Sequence, residues 1–92
     1  MVRAITIESS EKVLVQATST SSTPHTNPGI YRLISTHRCH INVGETAIQD
    51  KDLYLAVDEE IYVSVPANES IHVIRAAGET DGSLFVTRIR ET

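Results

Sequence analysis

From Cys39 to Val73 the chain alternates apolar and polar residues in four short segments separated by polar breaks. Cys39, Ile41 and Val43 share one parity; Leu53, Leu55 and Val57 follow, then Ile61, Val63 and Val65, then Ile71 and Val73. Successive side chains of a strand point to opposite faces, so each set predicts the core face of a short β-strand. The residues between them, His40, Asn42, Tyr54, Tyr62, Ser64 and His72, predict the face turned to solvent or to a partner, as in antiparallel sheets covered on one side.

The flanking chain extends the pattern. Met1 to Ile7 and Lys12 to Thr18 read as β-branched strands, with Glu8-Ser9-Ser10-Glu11 as a four-residue hairpin loop between them. Residues 19–29 are almost wholly small and polar and include Pro24 and Pro28, so they bury little and favour extended or turn conformations. They read as a long surface loop or, alternatively, as a hinge after which the 1–18 segment is an arm packed on a neighbouring subunit. Ile30 to Ser35 resumes the strand pattern. Gly44 ends the next strand, and Glu45 to Asp52 is a polar loop. Asp58-Glu59-Glu60 and Pro66 to Ser70 are turns, Asp81-Gly82 marks another reversal, and Leu84 to Arg90 closes the chain as a strand. About eight strands without a helical period predict an all-β chain, a small antiparallel β-sandwich or jelly-roll-like barrel. Residues 1–92 form a single domain on this reading, with 30–92 as its sandwich core.

Composition narrows the function classes. A chain of 92 residues buries only roughly 60–65% of its unfolded surface. With three tyrosines, one phenylalanine and no tryptophan, that burial rests on aliphatic side chains. Contacts between copies add the area such a chain lacks, which predicts a homo-oligomer. The net charge of −4 and the absence of any Lys/Arg run argue against a nucleic-acid backbone partner. The lone Cys39 excludes an internal disulfide framework. No apolar stretch approaches the roughly 20 residues of a membrane helix, and Arg3 is not followed by a signal-peptide core, so no membrane partner and synthesis in a cytoplasm are expected.

Chemistry is sparse. His37-Arg38-Cys39-His40 is the one cluster rich in ligand-type residues, but alternation sends Cys39 and His40 to opposite faces, and zinc needs about four converging ligands. The acids Asp50, Asp52, Asp58, Glu59 and Glu60 fall on two loops without the spacing of a calcium loop. No nucleophile elbow, phosphate-cradling loop or zinc-protease helix is present, and Asn68-Glu69-Ser70 is read as a turn despite its glycosylation pattern. These readings predict a non-enzymatic protein without metal or cofactor. The candidate interface residues are Tyr31, Tyr54, Tyr62 and His72, because amphipathic rings are enriched where subunits meet.

Residues 40–44 (His-Ile-Asn-Val-Gly), Leu53-Tyr54-Leu55-Ala56, Ile61 to Pro66, Ile71 to Ile74 and Gly82 to Ile89 together resemble, in order and pattern, a group of small tailed-bacteriophage structural proteins. The resemblance covers about residues 30–90. It departs at the short acidic loop after Gly44 and at Leu55-Ala56, where the pattern often carries a proline. It implies a virion component, foremost a capsid decoration or cement subunit that contacts its own copies and other virion proteins. The alternatives are a neck or tail component, a glycan-binding β-barrel with Tyr54, Tyr62 and His72 lining one face, and, last, a jelly-roll enzyme with metal at His37, His40 and His72.

Overall fold

The computed structural model describes residues 5–44 and 53–91. Eight strands form: β1 (Ile5–Val15), β2 (Thr20–Ser21), β3 (Gly29–Ser35), β4 (Cys39–Val43), β5 (Leu53–Leu55), β6 (Ile61–Val65), β7 (Ile71–Arg75) and β8 (Gly82–Glu91). They build two four-stranded sheets, ordered β1-β8-β3-β6 and β2-β7-β4-β5. Strand β1 pairs with β8, β2 with β7, β3 with β6 and β4 with β5, all antiparallel. This nesting of first with last is the strand order of a jelly roll, so the all-β sandwich expected from the alternation is what forms.

The inner faces meet in one core. Val13, Val15, Leu33, Leu84 and Val86 come from the first sheet, and Cys39, Ile41, Leu55, Ile71 and Val73 from the second, all buried. Every inward position of the alternating stretch is buried or packed against the core except two. Leu53 opens a three-residue edge strand and Val57 lies in the turn beyond it, so both are exposed despite their parity.

Three connections share one construction. Glu59, Glu69 and Glu79 donate their amides to the carbonyls of Ala56 (3.3 Å), Pro66 (3.3 Å) and Ala76 (3.2 Å), closing four-residue turns. The third residue of each turn, Asp58, Asn68 and Gly78, has a positive φ of 59°, 65° and 81°. Asp, Asn and Gly are the residue types that best tolerate this region. Each turn carries the chain from one sheet to the other. The reversal before β8 is therefore set by Gly78, and Asp81-Gly82, expected to make it, leads into the strand instead.

The N-terminal expectations change most. Glu8-Ser9-Ser10-Glu11 is not a hairpin loop: β1 runs through it, paired with β8 from Ile5 to Val15, with a bulge between Ile7 and Ser9. Val13 and Val15 belong to the core of the same chain, so Ile5–Val15 is a strand of the sandwich and not part of an arm reaching to a neighbour. The polar run is tolerated because β1 and β8, with 11 and 10 residues, outreach the second sheet and its strands of five residues or fewer. The 19–29 segment contributes β2 and then straps that overhang. The expected loop Glu45 to Asp52 lies outside the described residues.

Candidate functional site

The four candidate interface residues do not share a surface. Tyr31 alternates inward on β3 and is buried, so it offers nothing to a partner. Tyr54 and His72 lie on the outer face of the second sheet, while Tyr62 lies on the outer face of the first. A glycan platform built jointly from Tyr54, Tyr62 and His72 is thereby corrected: the three residues are on opposite sides of the sandwich.

The histidine and cysteine cluster is taken up by packing. Cys39 is fully buried, and that burial pushes its thiol pKa up, opposed in part by a hydrogen bond with Ser35. His40 points the other way but is also buried, with Tyr54 laid against it at 5.6 Å between ring centroids and 60° between planes. His37 Nδ1 lies 2.9 Å from Thr36 Oγ1. Among the described residues no group of three or more His, Cys, Asp or Glu side chains is placed to hold a metal. Two acids of the 58–60 turn are engaged as well: Glu59 accepts the Ala56 amide at 3.2 Å, and Glu60 is bonded to Arg32 and to the Tyr62 hydroxyl. Asp50 and Asp52 lie outside the described residues.

One buried polar centre is not anticipated by the sequence pattern. Arg88 follows Leu84 and Val86 at the inward parity of β8 and is only 7% exposed. Its guanidinium donates to Glu8 Oε2 (2.9 Å), to the Tyr31 hydroxyl (3.0 Å), and to the carbonyls of Asn27 (3.2 Å) and Pro28 (2.9 Å). Its carbon lies 5.5 Å from the Tyr31 ring centroid, in cation–π range. Gly29 leaves it room, since a Cβ there would overlap the guanidinium and force it to shift. The strap is tied at other points too. Thr23 donates its amide (2.9 Å) and hydroxyl (3.1 Å) to Glu11, and His25 O accepts the Asn68 amide at 2.7 Å. A cleft of about 370 Å³ remains between the strap and β1, lined by Ser9, Ser10, Glu11, Thr23, Pro24 and His25 over Tyr31 and Val86. Its carboxylate is spent on holding Thr23, so the cleft is part of the strap's fastening.

The arrangement that remains is a face. On the outside of the β1-β8-β3-β6 sheet, Ile7, Leu14, Ile30, Tyr62 and Phe85 are 43–65% exposed. Cross-strand register sets them in rows: Ile7, Ile89, Ile30 and Ser64; then Ser10, Thr87, Arg32 and Tyr62; then Lys12, Phe85 and Ile34. Five large hydrophobic side chains turned outward on one sheet face make it the candidate interaction surface. Alternation along β1, β3 and β8 contained the signal, because those strands carry apolar residues at both parities. No known protein family, curated protein or solved structure matches this chain.

Proposed function

We propose that the chain is a structural subunit that works by burying surface rather than by chemistry, foremost as a capsid decoration or cement protein of a tailed-phage virion. The observation that carries the reading is the apolar outer face of the β1-β8-β3-β6 sheet, with five large hydrophobic side chains turned outward on a domain of 92 residues. A jelly roll with one such face is suited to lie between protein surfaces, since a specific interface needs about 800 Å² per partner. The resemblance of residues 30–90 to small phage structural proteins supplies the choice of virion as the setting.

The test is co-sedimentation of purified protein with capsid shells assembled from the major head protein of the same genome, and in parallel with tail tubes from that genome. Saturable, stoichiometric binding to shells is expected. Binding to tubes alone would move the subunit to the tail, and binding to neither would end the virion reading.

A further inference from the structure

We infer that the outer face of the β1-β8-β3-β6 sheet docks on the same face of a second copy, about a two-fold axis running parallel to the strands between β8 and β3. The inference rests on the structural-subunit reading and names the partner for its surface.

The edges of both sheets are poor places for two copies to join. Strand β2 has two residues, β5 three and β6 five, and β1 is interrupted by its bulge. Short and bulged edges discourage strand addition. The face is different. Its strands offer roughly 500 Å² in projection at about 3.3 Å per residue and 4.8 Å per strand. Side-chain relief carries the accessible area toward the about 800 Å² per partner of a standard interface.

Self-complementarity comes from one row. Lys12 stands at the β1 end, then Phe85 and Ile34. Leu33 pairs with Ile61, so the next position along, Glu60, faces Ile34 at the far end. The Glu60 carboxylate is on this face, bonded to Arg32 and Tyr62. Lys12 has no ion-pair partner among the described residues. A two-fold axis between β8 and β3 reverses the strand order in the opposing sheet. It sets Lys12 against Glu60 of the other copy and Phe85 against Ile34. An isologous interface requires such reciprocity, each residue meeting a complement that it in turn complements. Stacked sheets keep their strands within about 30° of each other, so the rows stay near register across the interface.

The mass of the free protein in solution, measured by light scattering across a dilution series, tests the inference. A dimer is expected. Phe85→Glu should weaken it by about a hundredfold or more while leaving the melting transition in place, because residue 85 lies outside the core. Lys12→Glu, which sets acid against acid, should weaken it by about tenfold. Carbodiimide coupling of the wild-type dimer should join Lys12 to Glu60 between chains, since three strand spacings of about 4.8 Å separate them within one chain. A wild-type monomer at high concentration overturns the inference, as does a dimer indifferent to Phe85→Glu or cross-linked elsewhere. If Phe85→Glu fails to fold, Lys12→Glu and the cross-link still decide. A monomer that binds shells removes the two-fold face and leaves the virion reading standing; a dimer that binds none does the reverse.

Discussion

The two outer faces of the sandwich are built from the same kind of alternating strand and yet differ in what they leave open. On the β2-β7-β4-β5 side the outward residues are Ser21, His72, Asn42, His40, Ile74 and Tyr54, and Tyr54 covers His40. On the β1-β8-β3-β6 side aliphatic and aromatic residues alternate with polar ones, and Ile7, Leu14, Ile30, Tyr62 and Phe85 stand in the open. The inner faces alone explain the fold. What the fold does not require is the second apolar face, and apolar area kept in water without a folding purpose points to a partner.

The strongest way to break the comparison uses two neighbours. Leu84 is fully buried and Phe85 stands 43% exposed on the reverse of the same strand. Leu84→Asp should cost about 4 kcal/mol or more, comparable to the whole stability of a small domain, and yield no cooperative thermal transition. Phe85→Asp should melt much as the wild type does. If circular dichroism shows both unfolded, or both folded, the assignment of faces is wrong.

Next in size is Arg88→Met, which keeps the aliphatic stem and removes four hydrogen bonds, taking away the partner of the buried Tyr31 hydroxyl and releasing the carbonyls of Asn27 and Pro28, while Glu8 keeps its ion pair with Arg90. The effect should fall between those of Leu84→Asp and Phe85→Asp. Hydrogen exchange should locate it: faster exchange at Thr23 and Asn68, whose amides fasten the strap, with β4 and β7 unchanged. Uniform acceleration across both sheets would show that Arg88 supports the core as a whole.

Much of this was legible before the structure, and the exceptions have physical causes. Period-two alternation placed Cys39, Ile41, Leu55, Val65, Ile71 and Val73 in the core, because strand parity is strictly geometric. It failed at β1, where Glu8 to Glu11 resemble a hairpin loop, since nothing local reveals that this stretch overhangs the second sheet and finds its polar partners in Arg88, Thr87 and Thr23. Tyr31 was misplaced for the same reason: a tyrosine reads as amphipathic, and only Arg88, 57 positions away, gives its hydroxyl a buried partner. The turns were more readable than the alternation alone suggests. Asp58-Glu59, Asn68-Glu69 and Gly78-Glu79 recur at intervals of ten, each a residue suited to positive φ followed by the glutamate that closes the turn.

That recurrence leads to a smaller effect. Nothing lies within 4 Å of a Cβ added at Gly78, so Gly78→Ala isolates backbone strain at φ 81° from any clash. A loss of about 1–2 kcal/mol is expected, seen as a lower melting midpoint. Because the turn joins the two sheets from outside either face, the mass of the assembled protein should not change. A variant as stable as the wild type would mean that the turn relaxes to another form.

The smallest effect contrasts the two faces by pH. Arg32, by its hydrogen bond and then its charge, and Tyr62 hold the Glu60 carboxylate below its ordinary pKa on the apolar face. Arg38 does the same for Glu79 beside the other sheet, through its guanidinium and its backbone amide. A carboxylate whose folded pKa is depressed binds fewer protons folded than unfolded. Its stabilisation is therefore complete above the ordinary value of about 4.3 and is lost as pH falls through the lower, folded value. Both pairs reach solvent, so each share is small. Glu60→Gln and Glu79→Gln should each flatten the acid limb of the melting curve by a similar amount. Only Glu60→Gln should also weaken the dimer, by removing the charge that Lys12 of the second copy faces. Equal effects of the two variants on dimer mass would dissociate the glutamate at the apolar face from assembly, and would leave the hydrophobic rows alone to hold the copies together.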